Sequence, residues 1–170
     1  MNSSNMNTVP GSALPSAARP VSTSSAILYA TLVVGMLDAT DGIIFFATQG
    51  KNPIQVLQYI ASSLLGVDSF TDGLASAAFG LILHFAVALI VVTFYILMSR
   101  RITLLKTRWL PLGLLYGMVV WTVMNLAFLP HTAIVSSTLT AAALANGLIG
   151  HAFFVGLPCA FFAKKATLAA

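Results

Sequence analysis

Two carboxylates lie inside an apolar stretch near the start of the chain. Asp38 falls almost at the middle of this stretch, and Asp41 follows three residues later. A charged side chain at the centre of a membrane helix costs about 2.5–3.5 kcal/mol, so each carboxylate needs a partner or water. On a helix the two side chains are about 60° apart and can face one interior groove. The pair therefore marks a candidate polar site.

Two histidines lie at a similar depth in other apolar stretches. At the helical rise of about 1.5 Å per residue, Asp38, His84 and His151 all come about 15 Å below the predicted outer helix ends. A second polar layer lies nearer the outer side and is formed by Asp41, Asn125 and Asn146. The sequence thus predicts that one carboxylate and two imidazoles share a level within the protein.

Three functions fit such a cluster. The polar side chains could pair across helices and fix the packing of a structural or assembly subunit of a membrane complex. They could instead bind or move a small solute or protons, because ionisable groups inside a membrane often mark pathways. Third, Asp38, His84 and His151 suit a divalent metal by ligand type, and two histidines on different helices could hold haem iron in a redox protein. We take the solute or proton hypothesis as the leading one, with the structural role as an alternative. The absence of an HxxxH, HExxH or CxxCH motif around either histidine argues against a metal or haem, so no cofactor is expected.

Catalytic motifs are missing from the sequence. It has no GxSxG elbow, no Gly-rich phosphate loop and no Glu. These motifs supply the nucleophile, the phosphate cradle and the general base of many enzymes. We therefore predict no catalytic residues and favour a non-enzymatic protein.

Composition indicates which elements hold these residues. Of 170 residues, 58% are hydrophobic and 7% are charged, whereas a soluble domain has about 25% charged residues. Four apolar stretches have close to the roughly 20 residues that a helix needs to cross a bilayer. They cover residues 26–48, 73–98, 110–129 and 141–163. The predicted fold is all-α, a polytopic four-transmembrane-helix bundle.

A shorter apolar stretch covers residues 53–66. Pro53 suits the first turn of a helix and Gly66 suits its end. At about 14 residues it is too short to span, so we predict an interfacial amphipathic helix, with a lid packed on the bundle as the alternative. Residues 1–24 are rich in Ser, Asn, Ala and Pro and are predicted to be a disordered cytoplasmic tail. Residues 25–165 then form the membrane domain and 166–170 a C-terminal tail.

The distribution of cations predicts the orientation. Six of the eight Lys and Arg flank the bundle on one side, and that side is predicted to be cytoplasmic together with both termini. Four of them, Arg100, Arg101, Lys106 and Arg108, lie between the second and third stretches. They act as topology anchors or as ligands for anionic lipid headgroups. Nucleic acid is not an expected partner, because these cations are not interleaved with aromatic residues.

Several short motifs resemble a known family. They are residues 50–66 (GKNPIQVLQYIASSLLG), His84-Phe85, Ser99-Arg100-Arg101 and residues 146–151 (NGLIGH). Together they resemble small, uncharacterised bacterial inner-membrane proteins with four spans, similar to the YagU type. The resemblance implies a bacterial cytoplasmic membrane and supplies no catalytic residues. Lipid is the expected partner, and a homo-oligomer or a membrane complex stays open.

Overall fold

Four long helices make up most of the protein. The structure is a computed structural model that describes residues 21–135 and 139–167. Within these described residues, four helices are long and apolar enough to cross a membrane, and they are called spans one to four. They cover Thr23–Ala47, Gly73–Arg101, Trp109–His131 and Ala141–Lys165. The predicted all-α membrane architecture is confirmed.

The helices between and within the spans complete the element order. Span one is helix α1 and span two is helix α3; helix α2, Pro53–Leu65, lies between them and leads into a 3-10 turn, Gly66–Phe70. A short helix α4, Leu104–Thr107, precedes span three. Span three consists of α5, Trp109–Thr122, a π-helical segment, Val123–Phe128, and a 3-10 turn, Leu129–His131. Span four consists of α6, Ala141–Gly150, a π-helical segment, His151–Gly156, and α7, Leu157–Lys165.

Each π-helical segment ends two residues before a proline. Val123–Phe128 precedes Pro130, and His151–Gly156 precedes Pro158. Proline has no N–H, and its ring clashes with the carbonyl group four residues earlier, which here lies inside the π segment. A wider helical turn relieves that clash, so the prolines give a local reason for both segments. The second segment begins at His151, one of the candidate site residues.

Large apolar side chains cover the outside of the bundle. In span two, Leu74 is 71% exposed, and Ile82 and Ile90 are each 68% exposed. The buried core instead consists mainly of small residues such as Ala26, Ala30 and Ala160. Large apolar side chains on the surface are unfavourable in water and favourable in lipid. Small residues in the core are typical of membrane bundles, because they let helix backbones approach closely. The chain is therefore a multi-pass membrane protein by helix length and surface.

Close backbone packing joins spans three and four. Gly113 and Gly117, which form a GxxxG pair in span three, are both buried. A Cβ atom at Gly117 would collide with the carbonyl group of His151, and one at Gly113 would collide with Ala160 and Gly156. These glycines hold span three directly against the π-helical part of span four.

Helix α2 packs a face of polar and small apolar residues inward. A capping box between Asn52 and Gln55 starts the helix at Pro53, and Gly66 at φ 63° ends it. Gln58 and Ser62 are buried, whereas Ile54 and Leu64 are exposed. Helix α2 is therefore packed on span two, as in the lid alternative, with the apolar Val56 and Ala61 also buried. Ile54 and Leu64 face outward, as expected for an interfacial helix.

Hydrogen bonds fix α2 and the neighbouring links. The Gln58 amide donates to the Gly73 carbonyl at 3.0 Å, and the Ser76 hydroxyl donates to the Ser69 carbonyl at 2.5 Å. The backbone N–H of Ala133, after span three, donates to the Ser63 carbonyl at 3.0 Å. Helix α2, the 3-10 turn after it and the link after span three therefore cover one end of the bundle.

Both described chain ends lie at the other end of the bundle. Val21–Ser22 pairs in parallel with Ala166–Thr167, so β1 and β2 form a two-residue ladder next to spans one and four. Helix α1 begins at Thr23, a little before the expected residue 26, and residues 1–20 of the predicted tail and 168–170 lie outside the described residues. This end is called the basic end, and its cations are Arg100, Arg101, Lys106, Arg108, Lys164 and Lys165.

We expect Gly117→Ala to destabilise the protein by about 1–3 kcal/mol, the usual cost of overpacking a tight contact. The added methyl group has no room against the His151 carbonyl. Gly42→Ala is the matched control, because a Cβ atom there meets none of the described residues within 4 Å. Thermal unfolding in lipid nanodiscs measures both. Equal melting temperatures for the two variants would contradict the packing of spans three and four.

Candidate functional site

Helix α1 presents both carboxylates on its packed face. Ala30 and Val34 are buried, and Asp38 and Asp41 follow them at steps of four and three residues. Residues at these steps lie on one face of a helix. The face that packs α1 into the bundle near the basic end therefore also carries the two carboxylates, which lie closer to the opposite end. Both aspartates contact span four, which agrees with the expectation that they share one side of span one.

Asp38 pairs with His151 across spans one and four. The Oδ1 atom of Asp38 lies 3.5 Å from Nδ1 of His151, and the two side chains are 20% and 22% exposed. Hydrogen bonds to charged groups are usually near 2.7–2.9 Å, so this contact is an ion-pair distance. The Nδ1 atom is buried and has no hydrogen-bond partner among the described residues. A shift of several tenths of an ångström would bring the two atoms within proton-transfer distance.

Asp41 pairs with Asn146 one turn further from the basic end. The amide Nδ2 of Asn146 donates to Oδ2 of Asp41 at 3.0 Å. Gly150 lies one turn after Asn146, and a Cβ atom there would collide with the same Asp41 oxygen. Gly150 therefore makes room for the carboxylate. Two polar pairs, one above the other, join spans one and four.

His84 has a different partner. Its Nε2–H group donates to the carbonyl oxygen of Gly35 at 2.9 Å, which joins spans one and two. Gly35 lies one turn before Asp38 on α1. His84 thus binds span one, the helix that carries Asp38, but it contacts the backbone instead of the carboxylate. Of the three groups predicted at one level, the structure joins Asp38 to His151, and it hydrogen-bonds His84 to the Gly35 carbonyl.

Asn125 stays within its own helix. Its amide donates to the Trp121 carbonyl at 3.0 Å, one turn earlier in span three. Of the second polar layer, the structure brings Asp41 and Asn146 together and leaves Asn125 outside the pair. Asn125 lies in the π-helical segment, where the backbone hydrogen bonds differ from those of an α-helix. A side-chain amide can then bind a backbone carbonyl of its own helix.

The ligand geometry of a metal site is not present in the described part of the chain. Within residues 21–135 and 139–167, no three His, Cys, Asp or Glu side chains are grouped so that they could hold a metal ion. The combination of Asp38, His84 and His151 is divided because His84 is bound to the Gly35 carbonyl.

A lateral groove opens beside the Asp41 pair. This Asp41 groove has a cavity of about 480 Å³ and lies between spans one and four. Its polar part is formed by Asp41 and Asn146. Its apolar part consists of the phenyl rings of Phe45, Phe153 and Phe154 and of the aliphatic residues Ala142, Ala145 and Ile149. Pockets of roughly 300–1,000 Å³ with a few polar groups are typical of small-molecule sites. The groove was not predicted from the sequence, although Gly150, four residues after Asn146, was a usable signal.

The chain has no match among the known proteins compared with it: no protein-family model, curated sequence or solved structure is similar to it. The resemblance to YagU-type proteins therefore stays a prediction. The candidate site depends on the geometry of this chain alone.

We expect Asp41 and Asn146 to be energetically coupled. In a double-mutant cycle with Asp41→Ala and Asn146→Ala, the coupling should be about 0.6 kcal/mol and at most about 1.7 kcal/mol, as for other hydrogen bonds between membrane helices. Unfolding free energies in detergent micelles give the value. The matched control pairs Asp41→Ala with Asn125→Ala, for which the two effects should add. Coupling of equal size in both cycles would contradict the specific pair.

Proposed function

We propose that this protein binds or moves a small solute or protons through the polar pairs between spans one and four. The observation that carries the proposal is the Asp38–His151 contact of 3.5 Å inside membrane-length helices. Both groups can gain or lose a proton, and a histidine next to a carboxylate is suited to proton exchange. The proposal is that of a non-enzymatic membrane protein.

The position of His151 supports movement as well as binding. It is the first residue of a π-helical segment, a geometry that is frequent at functional sites. Its Nδ1 atom faces Asp38 without a hydrogen-bond partner among the described residues. A rigid structural contact would gain more from a full hydrogen bond at a shorter distance. The longer contact suits a pair that closes on a proton and opens again.

The alternative is a purely structural role in a membrane complex. Asn146–Asp41 and His84–Gly35 both tie helices together, which is the usual use of polar groups inside a membrane. The alternative predicts that removing the Asp38 charge changes stability and leaves any flux unchanged. The two functions are therefore separable by experiment.

We also propose the bacterial inner membrane as the location, with both termini cytoplasmic. The support is the charge distribution, since six cations gather at the basic end and Lys51 lies at the other. The ladder between Val21–Ser22 and Ala166–Thr167 supports the part of this proposal that puts both chain ends on one side. A YagU-type relationship would agree with this location.

We expect Asp38→Asn to lower proton flux by about tenfold or more, because a positioned proton-transfer group typically contributes 10²–10⁴-fold. Flux is measured in liposomes that contain a pH-sensitive dye, with a potassium gradient and valinomycin as the driving force. Asp72→Asn is the control for loss of one carboxylate, since Asp72 is exposed and lies before span two. It should leave flux unchanged.

Thermal unfolding of the same samples separates function from structure. A lower flux with an unchanged melting temperature supports proton movement. A lower melting temperature with an unchanged flux would replace the proposal with the structural role. His151→Gln should match the flux effect of Asp38→Asn, because the two side chains form one pair.

Cysteine labelling tests the orientation. In a Cys159→Ser background, Asp68→Cys should react with a membrane-impermeant maleimide added outside right-side-out membrane vesicles, and Lys165→Cys should not. Both native side chains are exposed and lie at opposite ends of the bundle. In inside-out vesicles the pattern should reverse. Labelling of both sites from the outside would contradict the proposed topology.

A further inference from the structure

We propose that the Asp41 groove binds an organic ammonium ion, with the cationic head at Asp41 and the apolar body against the phenyl rings. This inference deepens the proposed solute-binding function, because it names the chemical class of the solute. It depends on the shape and chemistry of the groove, which the Asp38–His151 pair does not line.

The two carboxylates of span one have partners of different charge. Asp38 faces His151, which can carry a positive charge and neutralise it. Asp41 accepts its hydrogen bond from the neutral amide of Asn146 through Oδ2 alone. A neutral donor leaves the negative charge of a carboxylate in place, and such a charge is costly in lipid. A cationic ligand would remove that cost.

The rest of the groove suits the apolar part of such a ligand. Phe45 comes from span one, and Phe153 and Phe154 come from span four. Ammonium groups are attracted to the faces of aromatic rings, by up to about 2 kcal/mol or more when both are desolvated. Quaternary ammonium ions are the usual ligands of aromatic cages. A carboxylate and three phenyl rings around one cavity therefore favour an organic cation over an inorganic one.

The ligand would enter from the lipid. Ile149 and Phe153 border the groove and are 61% and 52% exposed. The groove is thus open on the side of the bundle, where a hydrophobic cation dissolved in the bilayer can reach it. Lys and Arg side chains of the described chain lie at the helix ends and do not line the groove. The groove therefore complements a positively charged ligand.

The experiment compares benzyltrimethylammonium with benzyl alcohol, which has a similar body and no charge. Binding to the full chain in nanodiscs of zwitterionic lipid is measured by equilibrium dialysis. We expect the ammonium ion to bind at least about tenfold more tightly than the alcohol. Asp41→Asn should lower its affinity about tenfold, and Asp68→Asn, which removes an exposed loop carboxylate, should leave it unchanged.

Two further variants guard against misfolding as the cause. Gly150→Ala keeps every charge but pushes the Asp41 carboxylate from its position, so it should also weaken ammonium binding. Phe153→Leu keeps an apolar side chain and removes one ring, and it should weaken binding of the ammonium ion more than that of the alcohol. Melting temperatures of all variants are measured in the same nanodiscs.

The outcomes distinguish this inference from the proposed function. Equal binding of the alcohol and the ammonium ion, no binding of either, or full binding by Asp41→Asn would overturn the ammonium site, and a lipid chain or a second copy would then be the occupant. Flux that depends on Asp38 would still support the proposed function in those cases. Conversely, ammonium binding with a flux that does not depend on Asp38 would keep the groove and remove the proton pathway.

Discussion

A polar group inside lipid has to find its partner within the protein, and most of this structure follows from that constraint. Each unpartnered polar group there costs several kcal/mol. Span one carries two carboxylates, so neighbouring spans must supply hydrogen-bond donors for them and for the backbone carbonyl beside them. Asp38 meets His151, Asp41 meets Asn146, and the Gly35 carbonyl accepts from His84. These three polar contacts join span one to spans two and four.

Span three supports the site through close backbone contacts with span four. Gly117 lies directly against the carbonyl group of His151, and Gly113 lies against Ala160. The missing side chains let the backbone of span three hold the π-helical segment in place, with Pro158 just beyond it. The position of the His151 imidazole relative to Asp38 is thus coupled to the packing of span three against span four. Changes at Gly117 would reach the site by this route.

Helix α2 illustrates how the surrounding medium decides which face is buried. In water, Ile54 and Leu64 would turn inward and Gln58 would turn out. Here Gln58 and Ser62 are buried together with Val56 and Ala61, whereas Ile54 and Leu64 face outward. The reason is that Gln58 finds the Gly73 carbonyl and Ser76 at the start of span two, whereas the outward side chains suit lipid. The helix closes the end of the bundle opposite to the basic end.

The sequence by itself determined the all-α class, the four spans and the start and end of helix α2. These features depend on local composition, on the thickness of a bilayer and on caps such as Asn52 and Gly66. It also identified Asp38, Asp41, His151 and Asn146 as polar groups that need partners inside a membrane. The helical rise places Asp38 and His151 at one depth and Asp41 and Asn146 at another. Depth along a helix can be counted from a sequence.

Only the tertiary structure decided which of these groups meet. The rotation of each span about its axis is set by close contacts such as Gly117 with His151 and Gly35 with Phe85, which no local pattern encodes. That rotation sent His84 to the Gly35 carbonyl and left Asn125 bound to its own helix. It also opened the groove beside Asp41, whose walls come from two helices about a hundred residues apart in the chain.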